Sequence, residues 1–198
     1  YEEQINGLKD KSDFEPNALR ALCLFSVMTR LRSFQTKNYQ DKKLAKIIGN
    51  LNPLQKALLI SSKQIVPTDL DVESKQILTQ GIPEIKAEFE NENLYEGKFG
   101  LSPRDVKKIN YDLSTVNSNI TFIDIIDYLK KLILRKNEFD FLNMTPQGDF
   151  HHPARFISLI KVYCLDAFDL ELRDCLGLID HRKYDQYVKK YITHINAL

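Results

Sequence analysis

Arg104 is the residue whose setting points most directly to chemistry. It follows Gly100-Leu101-Ser102-Pro103 and opens the helical run Asp105-Val106-Lys107-Lys108-Ile109. Proline sets φ for a first helical turn, and Ser102 can cap the N–H groups that the turn leaves without partners. A cation in that turn works against the helix dipole, at a cost of about 0.3–1 kcal/mol. The cost is offset where the guanidinium and the positive helix end face one anion, and a phosphate suits such an arrangement. The same pattern also fits a solvated arginine at a Ser-Pro helix start.

The other reactive groups form weaker patterns. His151 and His152 adjoin the Pro146-Gln147-Gly148 turn, where imidazoles can titrate or bind metal. Adjacent histidines diverge on regular structure and no third ligand is near, so a solvated or locally hydrogen-bonded pair is the expectation and no metal site is assigned. Cys23, Cys164 and Cys175 are spread through apolar helical patterns without any C-x-x-C, which reads as reduced core thiols in a cytoplasmic protein. No G-x-x-x-x-G-K-[ST] loop is present, so nothing here cradles a triphosphate unaided. Leu172-Arg173-Asp174 and Gly148-Asp149-Phe150 only echo kinase motifs, and no catalytic residue is identified.

These residues must be positioned by helices. The 198 residues are 43% hydrophobic and 28% charged, enough for one large core or two small ones, and seven glycines and seven prolines suit helices with short joints. A formal net charge of +1 gives no global field that would mark a nucleic-acid or membrane-surface binder. No apolar run approaches the roughly 18 residues of a membrane span. The beginning at Tyr1-Glu2-Glu3-Gln4 and the end at Asn196-Ala197-Leu198 suggest a piece of a longer protein.

Helical spacing organises the whole chain. Ser12-Asp13-Phe14-Glu15-Pro16 reads as a capping box before a largely apolar, central helix over about 16–33. A polar loop over 35–41, a short helix over 42–48 and a helix from Asn52-Pro53 with Leu54, Ala57 and Leu58 inward come next. Pro83 reads as the start of a helix over 82–89. Beyond the Arg104 helix, Thr121 caps a strongly amphipathic helix reaching about Arg135. A break at Met144-Thr145-Pro146-Gln147-Gly148-Asp149 precedes a long helix that Gly177 stops, and a last helix from about Asp180 carries Tyr184, Tyr187 and Tyr191. That tyrosine stripe fits either a core face or a docking face. The fold class is all-α, with one helical domain over 1–142 and a second helical region over 143–198.

Three blocks of the chain carry a family resemblance. Phe14-Glu15-Pro16-Asn17-Ala18-Leu19 through Met28-Thr29-Arg30-Leu31 is similar to the segment of PrkA-type serine protein kinases that ends in "AVLTRL". Gly100-Leu101-Ser102-Pro103-Arg104 resembles their "GISPR" block, and Tyr184 to Ala197 looks like their late "YLEHV.AY" helix. The middle block, with a Thr-capped helix about 17 residues on, also resembles the lid of MoxR-type AAA+ ATPases, whose arginine reaches the γ-phosphate of ATP. The resemblance implies a bacterial, cytoplasmic serine/threonine protein kinase or AAA+ ATPase, and makes the helical domain over 1–142 lid-like. Arg104 would be its nucleotide-sensing residue, Ser102 the helix cap beside it, and ATP with Mg²⁺ would be bound mainly by an upstream P-loop domain.

Two other classes stay open. A helix-turn-helix would use Arg104, Lys107 and Lys108 on a recognition helix backed by Lys130, Lys131, Arg135 and Lys136, but acidic residues interleave with them. A helical scaffold would bind a partner protein through the 180–197 helix, and a homo-oligomer is a separate expectation for the intact protein. The expectation is ATP at an upstream domain, an unidentified protein substrate, no nucleic acid and no membrane.

Overall fold

The structure is a computed structural model that describes residues 13–62, 70–89, 99–116, 118–178 and 181–195. Eight helices account for nearly all the regular structure of these residues, and the fold is all-α. α1 is Pro16–Arg30, α2 Lys42–Gly49, α3 Pro53–Ser62 and α4 Val72–Ala87. α5 is Pro103–Val116, α6 Phe122–Leu132, α7 Pro153–Cys175 and α8 His181–Ile195. The two-residue strands β1 (Asp13–Phe14) and β2 (Asn119–Ile120) pair in parallel and tie the start of α1 to the start of α6. None of the described helices is long and apolar enough to cross a membrane.

The chain divides into two units, Tyr1–Lys161 and Val162–Leu198. In the first, α1 is the hub, packed on α3, α5 and α6. Ala18, Ala21, Leu22, Phe25 and Met28 are wholly buried, which explains why its apolar residues run round most of the helix. Edge-to-face contacts at 6.4 and 6.3 Å join Phe25 to Phe141 and Phe156. A second apolar cluster, with Leu44, Ile48, Leu59, Leu78 and Ile82, joins α2, α3 and α4. The division of the chain falls inside α7 and not at Pro146, because Phe156, Ile157 and Ile160 on its first turns are buried in the first unit's core. The Pro-Gly break is a closed turn: Gln147 and Phe150 exchange backbone hydrogen bonds of 2.9 and 3.0 Å, and Phe150 stacks edge-on against Phe34.

Several local expectations are corrected. Glu15 is the N-cap of α1 and gives no side-chain cap; Phe14, read as part of a capping box, lies in β1, and Ser12 is outside the described residues. Pro83 does not start a helix but sits inside α4, which begins eleven residues earlier behind the Asp71 cap. A proline in a helix interior costs about 3 kcal/mol; here Leu78, Ile82 and Ile85 are buried on either side of it, and that apolar burial offsets the loss. Of the three thiols, Cys23 and Cys164 are buried whereas Cys175 is exposed at the end of α7. Tyr187 and Tyr191 are exposed, so they form no core stripe; the side chain of Tyr184 lies outside the described residues.

Candidate functional site

The Arg104 site is assembled by two segments far apart in the chain. Gly100 has φ +114°, a backbone conformation that L side chains rarely adopt, and a Cβ there would lie 2.6 Å from the Thr29 carbonyl oxygen. The missing side chain lets the loop close onto the last turn of α1. Leu101 then donates its N–H to Thr29 Oγ1 at 3.0 Å, while that hydroxyl donates to the Ser26 carbonyl at 2.7 Å. Leu101 is wholly buried. The Thr29-Arg30-Leu31 and Gly100-Leu101-Ser102-Pro103-Arg104 blocks, more than 70 positions apart, are therefore one local structure.

Ser102 caps α5 as its spacing requires. Its Oγ accepts the Asp105 N–H at 3.2 Å, and the Asp105 carboxylate accepts from the Ser102 N–H at 2.8 Å and from its hydroxyl at 2.6 Å. This reciprocal box places an internal carboxylate at the positive end of the helix. The anion proposed from sequence for that helix end is thus, in part, the protein's own Asp105, a residue whose S-x-x-D spacing from Ser102 was the available signal. Arg104 stands beside the box, exposed, and among the described residues it forms no hydrogen bond or ion pair. The opposite face of α5 buries Val106, Ile109 and Leu113, and Tyr128 on α6 donates to Asp112 at 2.8 Å. Burial, with the Asp112 carboxylate beside it, pushes the Tyr128 phenol up to about 12 and keeps it a donor. The helix that carries the arginine is tied at its start and packed along its other face.

The remaining candidates lie elsewhere. His152 is exposed and its Nδ1 accepts the Arg155 N–H at 3.2 Å, capping α7. His151 is buried with φ +56°, and burial holds its imidazole below the usual 6.5, with the nearby Arg32 charge adding to the effect. Among the described residues no cluster of His, Cys, Asp or Glu could hold a metal ion. In the basic set suggested for DNA, Lys130 pairs with Asp127 at 2.8 Å and Arg135 with Glu138 at 3.8 Å. A residue that sequence reasoning passed over is Lys56, wholly buried on α3. Its Nζ donates to the Arg32 carbonyl at 2.9 Å, lies over the rings of Phe34 and Phe89 at 4.4 and 4.9 Å, and is 3.9 Å from Glu88. Helical periodicity gave no hint of it, because a lysine among Leu54, Ala57 and Leu58 reads as a solvated position.

This is an all-helical module in which a glycine clamp and a capping box present one exposed arginine. Residues 54–198 match the PrkA serine protein kinase C-terminal domain, and the chain belongs to that family. Comparison with curated proteins and with solved structures gives no match.

Proposed function

We propose that this chain is the nucleotide-sensing lid and C-terminal helical region of a PrkA-type protein kinase or AAA+ ATPase, with Arg104 as the sensor. The observation that supports it most is the exposed guanidinium, without a hydrogen bond or ion pair among the described residues, at a helix start held twice, by the Thr29 clamp and by the Ser102–Asp105 box. ATP and Mg²⁺ would be held by an upstream P-loop domain of the same protein, in the bacterial cytoplasm. In that arrangement Arg104 supplies positive charge where the γ-phosphate oxygens gain negative charge in the transition state. The clamp and the box fix where the backbone of Arg104 stands, and departure of the arginine after hydrolysis links nucleotide state to lid position. Phosphorylation of a protein substrate enters this reading only as what the family resemblance implies.

The test is Arg104→Ala in the intact protein, measured in two ways. ATP turnover falls about tenfold or more, since fingers of this kind supply about 10³–10⁵ in other NTPases. Stability of the 198-residue chain changes by less than about 0.5 kcal/mol, as for an exposed surface position. Unchanged turnover, or a loss of stability that accounts for the lost activity, overturns the assignment.

A further inference from the structure

The second unit leaves an unusual amount of apolar surface in water. On the distal half of α7, Leu165, Phe168 and Leu172 repeat at spacings of three and four and form one stripe. On α8, Tyr187, Val188, Tyr191 and Ile195 do the same. These side chains retain between 45% and 69% of their accessible surface. Helices joined by so short a turn usually close stripe on stripe, yet among the described residues neither stripe covers the other. Gly177 ends α7, with Leu178 N–H donating to the Arg173 carbonyl at 2.9 Å, and both faces stay exposed.

Charge indicates what covers them. Residues 162–178 carry Asp166, Asp169, Glu171 and Asp174 against one base, Arg173. Residues 181–195 carry Arg182, Lys183, Lys189 and Lys190 against one acid, Asp185. Asp169 lies four residues after Leu165 and three before Leu172, at the border of the first stripe, and Lys190 lies three after Tyr187 at the border of the second. Asp169 is paired within its helix to Arg173 at 2.8 Å, but the other three acids leave the first helix a net acidic edge that matches the basic second helix. A two-fold pairing of identical copies sets the acidic edge of each on the basic edge of its partner, and buries both stripes at once. An anionic membrane surface would meet only the basic half and would be repelled by the acidic one. The apolar side chains involved leave on the order of 1,000 Å² per copy, the scale of a standard stable interface.

From this we infer that the α7–α8 arm is a homodimerisation device, in which the distal half of α7 packs on α8 of a second copy as an antiparallel four-helix arrangement. The inference does not depend on Arg104. It is tested on the 198-residue chain by sedimentation velocity over a concentration series up to roughly 100 µM. Wild-type chain sediments as a dimer. Asp166→Lys with Asp169→Lys, and separately Lys189→Glu with Lys190→Glu, each raise the dissociation constant about tenfold or more with an unchanged circular dichroism spectrum. An equimolar mixture of the two variants restores a heterodimer. Tyr191→Glu with Ile195→Glu abolishes dimers whatever the charges. A wild-type monomer at the highest concentration overturns the proposal, as does a monomer that sediments with anionic vesicles. Variants that dimerise like wild type, or a mixture that forms no heterodimer, also overturn it.

Discussion

At the scale of single residues, Lys56 and His151 are two buried ionisable groups of the first unit that solve the problem of burial differently. Lys56 remains in the charged company of Glu88 and of two aromatic faces, with a backbone carbonyl as acceptor. Breaking such a set by removing one partner typically costs about 3–5 kcal/mol, because the other charge is left buried. His151 is instead held neutral, its imidazole below 6.5 through burial and the Arg32 charge. The sign of the pH dependence follows. The unfolded chain protonates this histidine near 6.5 and the folded chain only at lower pH, so between the two values the unfolded state binds more protons. The contribution of His151 to stability is complete above 6.5 and is lost as pH falls below it. Urea titrations at a series of pH values between about 7.5 and 5 should show this slope for the wild type. His151→Asn, which tolerates φ > 0, should flatten it. An identical slope in the variant would assign the effect to other groups.

At the scale of elements, the clamp between the end of α1 and the start of α5 depends on a position that has no room for a side chain. In Gly100→Ala the new Cβ meets the Thr29 carbonyl oxygen at 2.6 Å and the Arg30 Cγ at 2.7 Å, on a backbone already at φ +114°. A loss of about 1–3 kcal/mol is expected from such strain, read as a lower urea midpoint. Gly148→Ala, where nothing lies within 4 Å, is the control and should cost less. Equal losses would mean that the close approach to α1 contributes nothing. Caps and amphipathic faces were legible in the sequence because their signals are local: Ser102, Thr121 and Gly177 act where spacing places them. The Ser102 end of the candidate site was therefore readable, whereas its Thr29 end was not. A hydroxyl in an apolar helix gives no sign that it receives an N–H from residue 101. The passage of α4 through Pro83 was hidden for the same reason, since local propensity opposes it and only tertiary burial of Ile82 and Ile85 overrides that.

At the scale of the whole molecule, the question is whether these helices hold a nucleotide by themselves. The described residues line two open clefts of about 350 and 380 Å³, volumes that a nucleotide could enter. Their chemistry does not fit a triphosphate. The larger is lined by Ser33, Thr36, Asn50, Asn52, Gln147 and Asp149, with no cation in its lining, and Asp149 already occupies the nearby Arg155 at 3.2 Å. The smaller holds Lys43 and Lys46, but Lys43 is paired with Glu73 at 2.6 Å and Asp71 lies on the same wall. That pairing raises the Lys43 ammonium above its usual 10.5, through the Glu73 hydrogen bond and charge, so the positive charge already has a counterion. Arg104 is one guanidinium beside a helix end that Asp105 has capped. Phosphate binding of useful strength needs several converging donors, as a glycine-rich loop provides. The 198-residue chain alone should therefore show no ATP binding tighter than about 1 µM, equivalent to about −8 kcal/mol, and no hydrolysis. Isothermal titration with and without Mg²⁺ measures this. If sub-micromolar affinity is found, the nucleotide site lies within these helices, and a sensor that waits on an upstream domain is the wrong description of Arg104.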